Sequence, residues 1–112
     1  ILCEVNMAGE DTKFGLSPKE CIPFIEQIKN LEHIRIRGLM TIAPYTKDPE
    51  SNRIYFKGLR ELLDKANDMN LTNKAMDTLS MGMTGDYEVA IEEGATLIRV
   101  GTGIFGERNY AI

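Results

Sequence analysis

Four times in 112 residues, an apolar stretch of strand length is followed by a longer stretch whose apolar residues recur at helical spacing. That alternation confines the chain to the α/β class, whose repeating unit is strand, right-handed helical crossover and parallel strand. Ile1–Asn6 reads as the first buried strand and Met7–Leu16 as a loop holding Gly9, Asp11, Lys13 and Gly15. Ser17-Pro18-Lys19-Glu20 opens the first helix: Ser17 caps, Pro18 suits the first helical position, and Glu20 completes a capping box. Phe24, Ile25, Ile28 and Leu31 form its apolar face, while Pro23 predicts a kink or a helix that properly starts at about Pro23.

Ile34–Ile42 is the second expected strand, and Gly38 inside it suggests close backbone approach. Ala43–Asp48 is a loop, and Asp48-Pro49 starts a helix running to about Met69, with Asn70 as its stop. Its predicted buried stripe is Tyr55, Leu59, Leu62, Leu63 and Ala66. Ala75–Ser80 is the third strand, followed by a loop over residues 81–85. Thr84 is the expected cap of a third helix that Gly94 ends. Ala95–Val100 is the fourth strand, and residues 101–106 open a last short helical turn. A complete eight-fold α/β barrel needs about 250 residues, so four units make half of one; an independent four-stranded open sheet is the competing organisation. The chain starts without Met and reads as the interior of a longer chain cut at or just before a strand.

Composition narrows the function. Seventeen acids against thirteen bases give a net charge of -4, with no clustered positive charge for nucleic acid. No apolar run approaches the roughly 18 residues of a membrane span. Cys3 and Cys21 have neither zinc nor redox spacing; they read as two reduced, buried thiols of a cytoplasmic protein. There is no metal-ligand cluster, no Ser-His-Asp set and no Walker loop. His33, the one histidine, falls in a helix-to-strand turn and reads as a surface residue. Asn6 either lines the mouth of the fold or caps a turn. Met40, Met81 and Met83 read as core or pocket lining, and Asp86, Tyr87 and Glu88 as helix-start and packing residues.

In a barrel of this class ligands bind where strands end, and the loops after the last two strands frequently hold phosphate. Here those loops are Leu79-Ser80-Met81-Gly82-Met83-Thr84 and Arg99-Val100-Gly101-Thr102-Gly103. Small residues let backbone N–H groups reach an anion, and hydroxyls add donors. Arg99 stands among Leu97, Ile98 and Val100, on a strand that should be buried. A guanidinium there needs a partner, either a structural carboxylate or a ligand at the mouth.

Three segments together carry a resemblance: Ile36-Arg37-Gly38-Leu39-Met40-Thr41-Ile42, Leu79 through Glu88, and Ile98 through Arg108, supported upstream by Val5-Asn6, Gly9-Glu10 and Lys13-Phe14-Gly15. In order and spacing they resemble the YggS/PROSC family of pyridoxal-phosphate homeostasis proteins. The resemblance implies the pyridoxal 5'-phosphate (PLP) barrel shared with the N-terminal domain of alanine racemase. It makes residues 1–112 the C-terminal half of a TIM-type (β/α)8 barrel, with four parallel strands alternating with helices. It implies that Ser80, Gly101 and Thr102 hold the PLP phosphate beside Met81 and Gly82, and that Arg99 approaches the pyridine nitrogen. A cation there disfavours protonation of that nitrogen, which suits a carrier, or a restrained racemase-type chemistry, better than a strong carbanion enzyme. The family's Schiff-base lysine belongs to the other half. None of Lys13, Lys19, Lys29, Lys47, Lys57, Lys65 and Lys74 ends an apolar strand in the family's motif, and only Lys13 falls near the mouth. No catalytic residue and no metal ligand is assigned. The expected function is PLP binding in vitamin B6 homeostasis. The alternatives are a fragment of a racemase-type PLP enzyme acting on amino acids, or a half-barrel that binds no PLP alone. Open sheet edges imply pairing with the missing N-terminal half-barrel or self-association.

Overall fold

The structure, a computed structural model, describes residues 1–11 and 13–107. Arg108, the last residue of the third motif, lies outside them. Four strands, β1 (Leu2–Glu4), β2 (Gly38–Met40), β3 (Thr78–Met83) and β4 (Leu97–Arg99), alternate with α1 (Pro18–Ile28), α2 (Arg53–Asp68), α3 (Tyr87–Glu92) and α4 (Thr102–Phe105). All pairings are parallel and the sheet order is β1-β2-β3-β4, so each strand lies beside its neighbour in the chain. That is the organisation expected of half a barrel.

Register explains where the core sits. Cys3, Leu39 and Leu79 stand opposite one another across three strands. They join α1 residues Cys21 and Ile25 and α2 residues Phe56, Leu59, Leu63 and Ala66 in one buried cluster. Side chains alternate across a strand, so Glu4, Met40 and Ser80, the next row, point to the other face. There Glu4 and Met40 are only half-buried. One face of the sheet is thus covered by helices, and the concave barrel side is covered far less.

The strands are shorter than their apolar runs. Ile34–Ile42 pairs only over Gly38–Met40, because the flanks belong to the turns that bring the chain in and out. Gly38 does sit at a close approach: a Cβ would land on the Thr78 carbonyl. The third strand is displaced from the expected Ala75–Ser80 to Thr78–Met83. Ser80 faces Leu97 and Met83 faces Arg99, so β3 accommodates an extra residue against β4, as in a β-bulge. Gly82 lies in that bulge at φ 101°, and a Cβ on it would come within 2.7 Å of Ala90 Cβ. Met81 and Gly82 are therefore strand residues, not loop.

The capping box forms as expected: Glu20 N–H donates to Ser17 Oγ at 3.3 Å and Ser17 N–H to Glu20 Oε1 at 3.0 Å. The helix begins at Pro18 and carries Pro23 inside it. The lost donor costs only the bond to the Lys19 carbonyl, in an exposed first turn. In the second helix a 3-10 turn, Pro49–Asn52, precedes α2. Phe56, fully buried, replaces Tyr55 as the first anchor of the stripe, and Leu62 is only half-buried. The third helix starts at Tyr87, with Asp86 rather than Thr84 in the N-cap position. Glu93 caps its C-terminus and Gly94 follows at φ 106°.

Candidate functional site

The C-terminal ends of the strands gather the residues singled out by sequence. Ser80 is buried at 3% exposure on β3. Arg99, at the end of β4, reaches across the sheet. Its Nη2 donates to the Thr41 carbonyl at 2.8 Å and lies 3.5 Å from the Ser80 carbonyl. Its Nε is buried and has no hydrogen-bond partner among the described residues. Arg99 therefore makes backbone contacts and, among those residues, no ion pair. Burial pushes its pKa down from the ordinary arginine value, while the carboxylates of Glu4 and Asp86 push it back up. A guanidinium starts from so high a pKa that it remains a cation.

Thr41 is a site residue that the sequence reading missed. It is buried at 1% exposure. Its hydroxyl donates to the Val5 carbonyl at 2.7 Å, its N–H to the Ser80 carbonyl at 3.1 Å, and its own carbonyl accepts from Arg99. One residue thus ties the chain just after β1 to β3 and β4. The available signal was a polar residue inside the apolar run Leu39-Met40-Thr41-Ile42, the same kind of signal that exposed Arg99.

The two small-residue loops meet. Thr84 does not cap α3. Its Oγ1 accepts from the Gly103 N–H at 3.0 Å and lies 3.2 Å from Thr102 Oγ1. Gly103 must be small, since a Cβ would come within 2.9 Å of Thr84 Cγ2, whereas Gly101 faces open space. Both Gly101 and Thr102 are exposed. Small residues and paired hydroxyls at strand ends can receive an anion.

Other candidates are placed elsewhere. Lys13 is exposed in the loop after β1, and among the described residues no hydrogen bond or ion pair links its side chain to Arg99. Asn6 caps a turn: its Oδ1 accepts from the N–H groups of Gly9 and Glu10, and its Nδ2 donates to the Glu10 carbonyl. Met81 is fully buried, but Met83 is 44% exposed and is not core. His33 is exposed. Both cysteines are free and buried. Burial raises both thiols, Cys21 to about 11 with the neighbouring Cys3 adding to the shift, so neither is a ready nucleophile. Among the described residues no group of three His, Cys, Asp or Glu could hold a metal, and no helix is long and apolar enough to cross a membrane.

Comparison with known proteins agrees with this architecture. The family model of the alanine racemase N-terminal domain matches residues 2–109. The pyridoxal phosphate homeostasis protein of Aquifex aeolicus is 49% identical over 110 residues, covering 98% of this chain and 47% of that protein. Its namesake from Haemophilus influenzae is 40% identical over 111 residues, covering 99% and 46%. The structure of PipY from Synechococcus elongatus without PLP aligns with a TM-score of 0.83 at 32% identity, over 94% of this chain and 48% of that one. The PipY structure with PLP bound gives 0.79. The chain spans about half the length of the curated relatives it matches. With four parallel βα units in barrel order and a match from residue 2 to residue 109, the chain belongs to the alanine racemase N-terminal domain family, beside the pyridoxal phosphate homeostasis proteins.

Proposed function

We propose that residues 1–112 are the C-terminal half of a PLP-binding barrel and supply the phosphate and pyridine side of its site, in a protein of vitamin B6 homeostasis. The observation that carries this reading is Arg99, whose buried Nε lacks a partner among the described residues at the strand ends. A buried donor of that kind calls for an acceptor, and a pyridine nitrogen is one. Arg99 would donate to that nitrogen and, as a permanent cation, oppose its protonation. Ser80, Gly101 and Thr102 would hold the phosphate. The space over Gly101 and the hydroxyls of Thr84 and Thr102 fit that role, and Met81 and Gly82 would set the floor. When bound, PLP brings an aldehyde and an electron-withdrawing ring. The names of the Aquifex and Haemophilus relatives, and the PLP-bound PipY structure, support the choice of ligand.

Equilibrium dialysis of the chain against PLP tests this. Saturable binding is expected, competed by inorganic phosphate and weakened at least about tenfold by Arg99→Ala, the scale of a charge-assisted hydrogen bond. No saturable binding, or equal affinity in Arg99→Ala, would overturn it. The open edges of β1 and β4 would take four further strands, from the rest of a longer protein or from a second copy of this chain. Sedimentation that shows only monomer at high concentration excludes the second copy.

A further inference from the structure

Asn and Asp are favoured helix N-caps because their side chains bond the first free N–H groups. Two such residues here occupy N-cap positions and do not cap. Asn52 precedes α2 and Asp86 precedes α3, and neither side chain bonds its own helix. Each turns to the other instead. Asn52 Nδ2 donates to Asp86 Oδ2 at 2.9 Å and also to the Pro44 carbonyl at 2.9 Å. Asn52 is 2% exposed. A buried amide is costly unless satisfied, and Asn52 finds its partners in the Pro44 carbonyl and the half-buried Asp86 carboxylate, so the pair links the two helix starts.

The remaining carboxylate oxygen continues the connection. Asp86 Oδ1 accepts from the Met83 N–H at 2.7 Å, and the Asp86 N–H donates to the Met83 carbonyl at 3.1 Å. The turn Met83-Thr84-Gly85-Asp86 is closed twice by one residue. Thr84, its second residue, then meets Gly103 and Thr102. The contacts run without a gap from the loop after β2, through Asn52 and Asp86, to the turn after β3 and the loop after β4.

We infer that Asn52 and Asp86 are positioning residues, which fix the Thr84 hydroxyl and through it the Gly101-Thr102-Gly103 loop that receives the ligand's phosphate. The role of that loop rests on the function proposed above; the mechanical link does not. Asp86 also favours the charge on Arg99 without pairing with it.

The test follows the Met83 and Gly103 amides by NMR and measures PLP and inorganic phosphate binding by equilibrium dialysis. Asn52→Ala should shift both amides and weaken PLP binding about tenfold, the scale of a lost hydrogen bond to a charged group. Thr84→Val should weaken binding similarly, and the double variant no further, because coupled residues are not additive. Asn52→Asp places two carboxylates face to face, where a shared proton can restore the bond. Its affinity relative to wild type should recover as pH falls, a dependence that simple loss of packing lacks. That variant also answers if Asn52→Ala does not fold. A Gly103 amide that stays put in Asn52→Ala, or Asn52→Asp affinity that keeps a constant ratio to wild type across pH, overturns the inference. If wild type binds neither PLP nor phosphate, the proposed ligand fails, and the Gly103 amide alone decides the link.

Discussion

The two ends of the sheet are built from the same chain pattern and treat polar groups differently. At the end where strands begin, groups are closed on one another. Asn67 gives its Nδ2 to the Met76 carbonyl at 2.9 Å and takes the Met76 N–H at 2.8 Å. Arg37 pairs with Asp77, and Gly38 lies against Thr78. At the end where strands finish, the accounts are left open. The two buried side-chain atoms without a partner among the described residues are Glu10 Oε1, in the loop after β1, and Arg99 Nε, at the end of β4. Barrels divide their labour in this way, stability at one end and ligands at the other.

The comparison can be broken by substitutions at the closed end. Gly38→Ala should have the largest effect on stability, a loss of about 3 kcal/mol in urea unfolding, as in overpacking that neither strand can relieve. Asn67→Ala comes next, at about 2 kcal/mol, since it removes the partner of a buried backbone pair. Where the folded state persists, PLP affinity should be unchanged in Asn67→Ala. A matching loss of affinity there would show that the two ends are not independent. Cys21, under the helix-covered face between the ends, gives an effect confined to alkaline pH and absent at neutrality. Its thiol keeps its proton in the folded chain up to about 11, against an ordinary value of 9.0. The unfolded chain releases that proton first, so stability should fall as pH rises from about 9 to about 11. Cys21→Ala should flatten that decline in urea midpoints; an unaltered slope would assign it to other groups.

What the sequence made legible was what depends on near neighbours. The alternation of strands and helices, the Ser17–Glu20 box, the turn at Gly94 and the tight contact of Gly38 all follow from local spacing or from one residue's size. Arg99 stood out because a cation in an apolar run is out of place. The failures share one physical cause, which is that partners come from elsewhere in the chain. Thr84 has the chemistry of a cap, yet its hydroxyl meets Gly103, nineteen residues on. Asn52 and Asp86 meet across thirty-four residues. The displacement of β3 to Met83 depends on a bulge against β4, which no pattern within β3 announces. Tyr55 and Phe56 fit nearly the same helical stripe, and packing against the sheet chose Phe56.

Sheet order that copies chain order has a consequence for how the molecule is made. Each strand can be laid on the one before it as it emerges, and none must wait for a later strand to slip in between. Each new pairing still has to close a long loop, Leu2 on Gly38 and then Gly38 on Thr78, and parallel pairing of that kind is slow to form. Synthesis proceeds from the N-terminus at about 5–20 residues per second, so the sheet widens in the same direction as the ribosome moves. A pause after any unit leaves a narrower sheet with a ready edge, and never a gap in its middle.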